Sequence, residues 1–511
     1  MAKQSVGIPL PVFGHLATDP VVTLYRQIYE RIRSPILAGS LAPGTRLPSS
    51  RTLAGDIGVS RSTVELAFSQ LEAEGFLIRR VGAGTYVTSA IPERDRAPRI
   101  TAPRAARPPA TPRPATAGRD SLSARGRVVV TAAQVAEPGA GPMTDEPPCR
   151  LFAPCLPSLE SFPLPIWRRL VARHSRLWQG ESLFLGDRAG YRPLRQALAT
   201  YLATARGVRC DWRQIIILTS TQQALDLAAR LLLDAGDPVW LEEPGYLGAR
   251  AALESAGARL VPVPVDTDGL TVQAGIATEP EARLVYLTPS HQYPTGVTMS
   301  LARRLALLEW ATRTGAWVIE DDYDSEFRYT GRPLAAMQGL DRGERVIYTG
   351  TFNKVLFPGL RLAYVVVPHS LVDAFAAART IIDGHSPSFM QAVLADFIVA
   401  GYLSSHIRRM RALYQERRDV LLDAIARRLA GRIEVTASDT GLHAAGWLRR
   451  DVDDREVSRR SAAKGLDLPP LSRYYLGRRP PPGLLFNYAT VPPDDLRGGI
   501  DTLATVLDSP R

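Results

Sequence analysis

The chain has 511 residues, enough for two to four domains at ~100–200 residues each. Its 45% hydrophobic and 22% charged residues are ordinary for a protein with sizeable cores. Three cysteines without a CxxC pair exclude a disulfide framework and a zinc ribbon, and no metal site is expected. No run approaches the ~18 apolar residues of a membrane span. The apolar stretch Val6–Phe13 is broken by Pro9 and Pro11 and preceded only by Lys3, a poor signal peptide. A cytoplasmic protein with no membrane partner is expected. The 62 basic residues outnumber 51 acidic ones, a formal charge of +11, which suits a polyanionic partner without proving one. Only Lys3, Lys354 and Lys464 are lysines; the other 59 basic residues are arginines. Arginine copies a lysine's charge but not its capacity to form an imine, so each retained lysine is informative.

In chain order, Leu24, Ile28 and Ile32 recur at i+4 with Tyr25 and Tyr29 alongside, predicting a helix over 21–38 stopped by Gly39. A turn-rich stretch then leads to candidate N-caps at Ser49 and Ser50. A short helix with Leu53, Ala54 and Ile57 inward ends at Gly58. Ser60 caps a third helix whose inward face is Val64, Ala67, Phe68 and Leu71. Phe76–Val87 reads as two strands around Gly82-Ala-Gly84. Helix, tight turn, helix and hairpin make a winged helix-turn-helix. Its recognition helix would offer Arg61, Ser62 and Thr63 to base edges, while Arg46, Arg51 and the main chain of 82–85 would lie along phosphates.

Residues 21–88 resemble the GntR-type DNA-binding domain, through G-x-L-x-P-G-x-x-L-P-S-x-R, G-V-S-R-x-T-V and the wing G-x-G-T-x-V. The resemblance implies double-stranded operator DNA as partner. By that resemblance Arg51, Arg61, Ser62, Thr63 and Gly82 fall at DNA-contacting positions, and Arg46, Ser50, Ser60 and Thr85 complete the expected DNA face. Glu65 stands where some relatives carry arginine; a carboxylate there would repel phosphate or accept from a cytosine amino group.

Residues 91–128 hold seven prolines, nine arginines and three acids without a helical or strand period. Such a composition buries too little to offset its ordering entropy. A basic Pro/Arg-rich linker is therefore expected over 91–150, running past the Val128–Val135 patch and separating domains at 1–90 and 151–511.

Beyond the linker, strand-like runs at 215–218, 239–241, 284–287, 317–319, 346–348 and 363–367 alternate with helical stretches, predicting an α/β domain with a mostly parallel sheet. Ligands of such sheets sit at the carboxyl ends of strands. Three ends stand out. Thr219-Ser220-Thr221-Gln222-Gln223 opens a helix whose free amides suit a phosphate. Glu320-Asp321-Asp322-Tyr323 supplies carboxylates, and Gly350-Thr351-Phe352-Asn353-Lys354 supplies one of the rare lysines. A lysine beside a phosphate cradle and an acidic strand end suits a Schiff-base cofactor with a pyridinium nitrogen.

From about Phe152 onward the chain resembles fold-type I, class I aminotransferases, which bind pyridoxal 5'-phosphate, through S/T-x-S/T-Q-Q-A-L, E-E-P-G-Y, P-T-G and T-F-N-K-x-x-x-P-G-L-R. The resemblance implies that Lys354 forms the internal aldimine, Asp321 pairs with the pyridine nitrogen, Tyr246 stacks on the ring and Tyr323 meets the ring hydroxyl. Ser220, Thr221, Gln222, Thr351 and Arg361 would surround the phosphate. Two departures stand out. The family's Asn-Pro-Thr-Gly is replaced by His291-Gln292-Tyr293-Pro294-Thr295-Gly296, leaving His291 or Gln292 as substitute for the asparagine. The arginine that grips a substrate α-carboxylate is replaced by Leu485, with Arg473 either a substitute or a solvated surface residue.

Together the parts resemble the MocR-type subfamily of GntR-family transcriptional regulators. That implies a homodimer whose aminotransferase-like domain senses pyridoxal phosphate, or an amine or amino acid, through the Schiff base. The alternative is a working aminotransferase with an appended DNA-binding domain; full transamination is the expectation that Leu485 weakens.

Overall fold

The computed structural model describes residues 23–80, 84–88, 122–136, 151–154, 156–330, 334–436, 438–477 and 480–508. The chain divides into two compact units, 1–114 and 115–511. Gly82 lies outside the described residues.

In the first unit α1 spans Leu24–Leu37, α2 Ser50–Ile57 and α3 Arg61–Ala73, followed by strands β1 (Leu77–Arg80) and β2 (Gly84–Val87). The caps explain the boundaries. Ser49, not Ser50, caps α2, accepting the Thr52 N–H, and Ser60 accepts the Thr63 N–H. Gly58 closes α2 in the left-handed region at φ +70°, where a Cβ would be strained. Ile28, Tyr29, Ile32 and Ile36 of α1 meet Leu53, Val64, Phe68, Leu71, Leu77 and Val87 in one core. Leu24, expected inside, is 44% exposed because it opens the helix at the edge of that core. β1 and β2 pair antiparallel from Leu77↔Val87 to Arg80↔Gly84, and Arg46 bridges to Tyr86 beside them.

The second unit is built on an eight-stranded sheet of β3 (Ile215–Leu218), β4 (Pro238–Glu243), β5 (Arg259–Asp266), β6 (Gly269–Leu270), β7 (Leu284–Leu287), β8 (Trp317–Asp322), β9 (Val346–Thr351) and β10 (Ala363–Val366). Their order is β3-β10-β9-β8-β7-β4-β5-β6. The run β9-β8-β7-β4-β5 is parallel, while β10 is antiparallel to both neighbours and β6 to β5. Alternate residues feed two cores: Ile215, Ile217, Tyr348 and Tyr364 on one face, Ile216, Leu218, Ile347 and Val365 on the other. Burial on both faces explains the continuous apolar runs. A smaller antiparallel sheet, β11 (Ile433–Thr436), β12 (His443–Leu448) and β13 (Gly483–Asn487), follows in the chain.

The segment expected to be linker through 150 contains a helix, α4 (Ala124–Ala136), packed on the Leu247–Ala256 helix. Ala132 is buried there while Val128, Val129 and Val130 stay exposed. The Leu247–Ala256 helix is rich in small residues, with Gly248, Ala249, Ala251 and Ala252 buried. Packing by alanine and glycine leaves no strong hydrophobic period to read.

Candidate functional site

Three strand ends of the large sheet build the site. β8 alternates its carboxylates. Glu320 accepts the backbone N–H groups of Met337 and Gln338, and Asp322 accepts from Arg206 Nε at 2.7 Å and from Tyr348. Both carboxylates thereby serve the scaffold, although Asp322 Oδ1 is also buried without a protein partner among the described residues. Asp321, between them, accepts from Tyr286 Oη at 2.9 Å through Oδ2, while its Oδ1 is buried and has no protein partner among the described residues. Burial pushes the Asp321 carboxyl up to about 7; the Tyr286 hydrogen bond opposes this, Asp322 adds to it, and the charge of Lys354 opposes it. A buried acceptor with one empty position beside a cation suits a protonated ring nitrogen.

Lys354 follows β9, where Thr351 is buried and its hydroxyl accepts the Asn353 N–H at 3.1 Å. Gly350 is required before it, since a Cβ would come within 2.4 Å of the Tyr364 hydroxyl. After β3, Ser220 caps the Thr221–Leu232 helix by accepting the Gln223 N–H, keeping its own proton to donate. Gln222 is engaged locally, its amide donating to the Gly248 carbonyl at 2.8 Å. Arg361 is exposed and left-handed at φ +51° after the Pro358–Leu360 turn. Tyr246 N-caps the Leu247–Ala256 helix, and its ring lies over Gly248, where a Cβ would be 2.4 Å from the phenol oxygen.

His291 and Gln292 have different surroundings. Gln292 donates to the carbonyls of Pro244 and Tyr293 and accepts from Thr295, so its amide holds the turn. His291 faces Asp324 through Nδ1 at 2.9 Å, and its Nε2 is buried without a protein partner among the described residues. Tyr323 Oη donates to the His291 carbonyl at 2.9 Å. His443 of β12, which sequence reasoning missed, joins them with ring centroids 4.8 Å apart, and His291, Asp324 and His443 have ligand-type atoms within 4.8 Å of one another. No motif spacing could reveal a trio spread over 153 residues and two sheets. Leu485 is buried, paired with Ala445 in register, and clusters with Leu247, Tyr293, Leu471 and Tyr474 against Tyr246 and Tyr323. Arg473 is half-buried with its guanidinium 5.5 Å from the Tyr474 ring centre.

In the first unit, Arg46, Arg51, Arg61 and Ser62 are exposed and Thr85 half-buried. Ser60 and Thr63 are tied to each other as the cap of α3, and Ser50 donates to Glu65. Glu65 also pairs with Arg79 at 3.0 Å and Arg61 at 3.9 Å, and these partners hold its carboxyl below the usual range.

Comparison with known proteins matches residues 24–87 to "Bacterial regulatory proteins, gntR family" and 158–474 to "Aminotransferase class I and II". The probable rhizopine catabolism regulatory protein MocR of Rhizobium meliloti is 42% identical over 96% of this chain and 95% of its own. The chain is a MocR-type regulator of the gntR family. Other full-length relatives of that type include the HTH-type pyridoxine biosynthesis transcriptional regulator PdxR of Corynebacterium glutamicum, 30% identical over 92% of this chain and 93% of its own. Among solved structures, the multiple substrate aminotransferase of Thermococcus profundus superposes with TM-score 0.68 at 28% identity, over 76% of this chain and 98% of its own. MocR-type architecture thus joins an HTH transcriptional regulator to the fold of an aminotransferase. Among the described residues no single helix is long and apolar enough to cross a membrane.

Proposed function

We propose that this regulator binds pyridoxal 5'-phosphate in its second unit and adjusts its operator binding when an amine-bearing effector reaches the cofactor. The observation that carries this is the empty, buried Oδ1 of Asp321 under the influence of Lys354. When bound, the cofactor supplies an aldehyde carbon that condenses reversibly with primary amines. Lys354 is the resident amine, and Asp321 accepts from the ring nitrogen. Tyr246 covers the ring, with Tyr323 beside His291 at the hydroxyl edge. The hydroxyls of Ser220, Thr221 and Thr351, the opening amides of the Thr221–Leu232 helix and Arg361 hold the phosphate.

In the first unit Arg61 and Ser62, exposed at the start of α3, are the base readers, and Arg46, Arg51 and Thr85 the backbone contacts. Such a protein works in the cytoplasm, where the DNA is. A homodimer is supported by the exposed apolar run Leu183, Phe184 and Leu185, each at least 70% accessible, which a second copy would cover.

The test is absorbance and operator mobility shift on the full-length protein with added pyridoxal phosphate. A visible band, lost in Lys354→Ala while operator binding persists, supports the reading. The same band in wild type and variant refutes it.

A further inference from the structure

The cofactor reading gives no role to Asp324 or His443. We propose that His291, Asp324 and His443 form a binding site for a divalent transition-metal ion of the zinc type, one ion per chain. The proposal stands on these residues and does not depend on what Lys354 holds.

The three come from separate parts of the second unit. His291 lies after β7, Asp324 just past β8, and His443 opens β12 of the smaller sheet. All three are buried, at 1%, 1% and 3% exposure. Their ligand-type atoms lie within 4.8 Å of one another. A carboxylate and two imidazoles taken out of water together are costly unless something joins them.

The shortest side of this triangle already has the spacing of metal ligands. Asp324 Oδ2 and Oδ1 stand 2.9 and 3.1 Å from His291 Nδ1. Neighbouring ligands on a tetrahedral zinc, each ~2.0–2.2 Å from the ion, are about 3.3 Å apart. An ion can therefore take the place of the shared proton with little movement. Glycine makes room for the ring: a Cβ on Gly441, at φ +96°, would overlap the His291 imidazole, and one on Gly296 would lie 3.2 Å from its Nε2.

His443 supplies the third corner. It donates to the Pro294 carbonyl, and its Nε2 is buried without a protein partner among the described residues. Nδ1 thus carries the proton and Nε2 the lone pair. Burial and the charges of His291 and Lys354 keep the ring neutral, which is the form that ligates. A histidine tied through one nitrogen to a backbone carbonyl is held in orientation for a metal on the other.

The donor set selects the ion. Two imidazole nitrogens and one carboxylate suit zinc, cobalt or nickel, whereas calcium and magnesium take oxygen ligands throughout. Three protein ligands leave a further position for water or a small molecule. Lys354 is a nearby cation whose charge opposes an ion here, and the Asp324 carboxylate offsets it. The half-buried pair His174 and Asp396, 3.0 Å apart, is joined by Arg173 instead of a second histidine, and serves as the control.

Full-length protein stripped of metal with a chelator is titrated with Zn²⁺ by calorimetry and with Co²⁺ by visible difference absorbance. The expected result is one ion per chain, bound at micromolar affinity or tighter, with the intense d–d bands of four- or five-coordinate Co²⁺. Mg²⁺ and Ca²⁺ should not compete. His443→Gln and Asp324→Asn should each weaken binding at least tenfold, and His174→Gln should leave it unchanged. Circular dichroism checks that each buried variant folds, and the wild-type Co²⁺ spectrum decides the matter without them. The weak bands of six-coordinate aqueous Co²⁺ overturn the proposal. Zn²⁺ affinity unchanged in His443→Gln and Asp324→Asn overturns it too, and loss confined to His174→Gln moves the ion to the other pair and does the same. Neither readout depends on bound cofactor, so failure here leaves the reading of Lys354 and Asp321 standing.

Discussion

The two units keep their functional groups in opposite conditions. In the winged helix, Arg51, Arg61 and Ser62 are exposed side chains set by short, contiguous motifs. In the aminotransferase-like unit, Asp321, His291 and His443 are buried, each with an atom lacking a protein partner among the described residues. A surface reader needs only a rigid helix and a cap. A small-molecule site needs polar atoms stripped of water and held unpaired, which a large core must stabilise. Losing one group should therefore cost more in the second unit than in the first.

The sharpest break of that contrast is Lys354→Ala, which should abolish the visible absorbance entirely while single-site DNA binding changes little; spectroscopy and mobility shift on one preparation check both. Lys354→Arg should fail equally, because a guanidinium stays protonated.

Next is Asp321→Ala. Losing a charge-assisted hydrogen bond of about 1.5–3 kcal/mol predicts roughly 10- to 100-fold weaker cofactor binding, measured by fluorescence titration. Its pH dependence has a definite sign. The carboxyl has an ordinary value of 3.8 and is pushed up to about 7 in the fold. Between those values the unfolded chain holds the fewer protons, so stability of the cofactor-free protein falls as pH rises from about 4 to about 7 and levels off above. Glu242 and Glu320, both raised to about 7 by burial, contribute in the same direction. Thermal melts across that range should show the decline, shallower in Asp321→Asn.

On the DNA side, Arg61→Ala should cost about 1–3 kcal/mol on the operator and less on random DNA. Arg51→Ala should weaken both alike and lower the salt slope by about one unit. Equal losses on both DNAs from both substitutions would remove Arg61 from base reading. The smallest effect expected is from Glu65→Gln. Its ion pairs are partly exposed, so the change in the urea midpoint should correspond to under about 1 kcal/mol.

Legibility followed the same division. The winged helix could be read almost element by element, because Ser49, Ser60, Gly58 and the apolar spacings act within a few residues of where they are written. Six of the eight strands of the large sheet were equally plain, since burial on both faces makes continuous apolar runs; β5, partly exposed and carrying Pro262 and Pro264, and the two-residue β6 were not read. The role of Asp321 among three neighbouring acids became separable only through strand alternation, which sends Glu320 and Asp322 to scaffold partners. His443 gave no signal: a lone histidine in an ordinary strand acquires meaning only when tertiary folding sets it beside His291. Helix α4 was missed because alanine and glycine packing carries no amphipathic stripe. Gln292 and His291 read alike in sequence, and only the fold shows that the Gln292 amide is engaged in closing a turn.

The ion pairs of Glu65 bear on how the regulator meets DNA. Arg79 and Arg61 arrive already partnered, and Ser50 secures the same carboxylate. Contact with DNA by either arginine is then an exchange of the Glu65 carboxylate for a partner on the double helix. Fewer counterions leave the double helix than the arginine count suggests, and non-specific affinity is correspondingly muted. A protein rich in arginine can in this way avoid being held indiscriminately along the chromosome, leaving its operator to win by shape and base contacts rather than by charge.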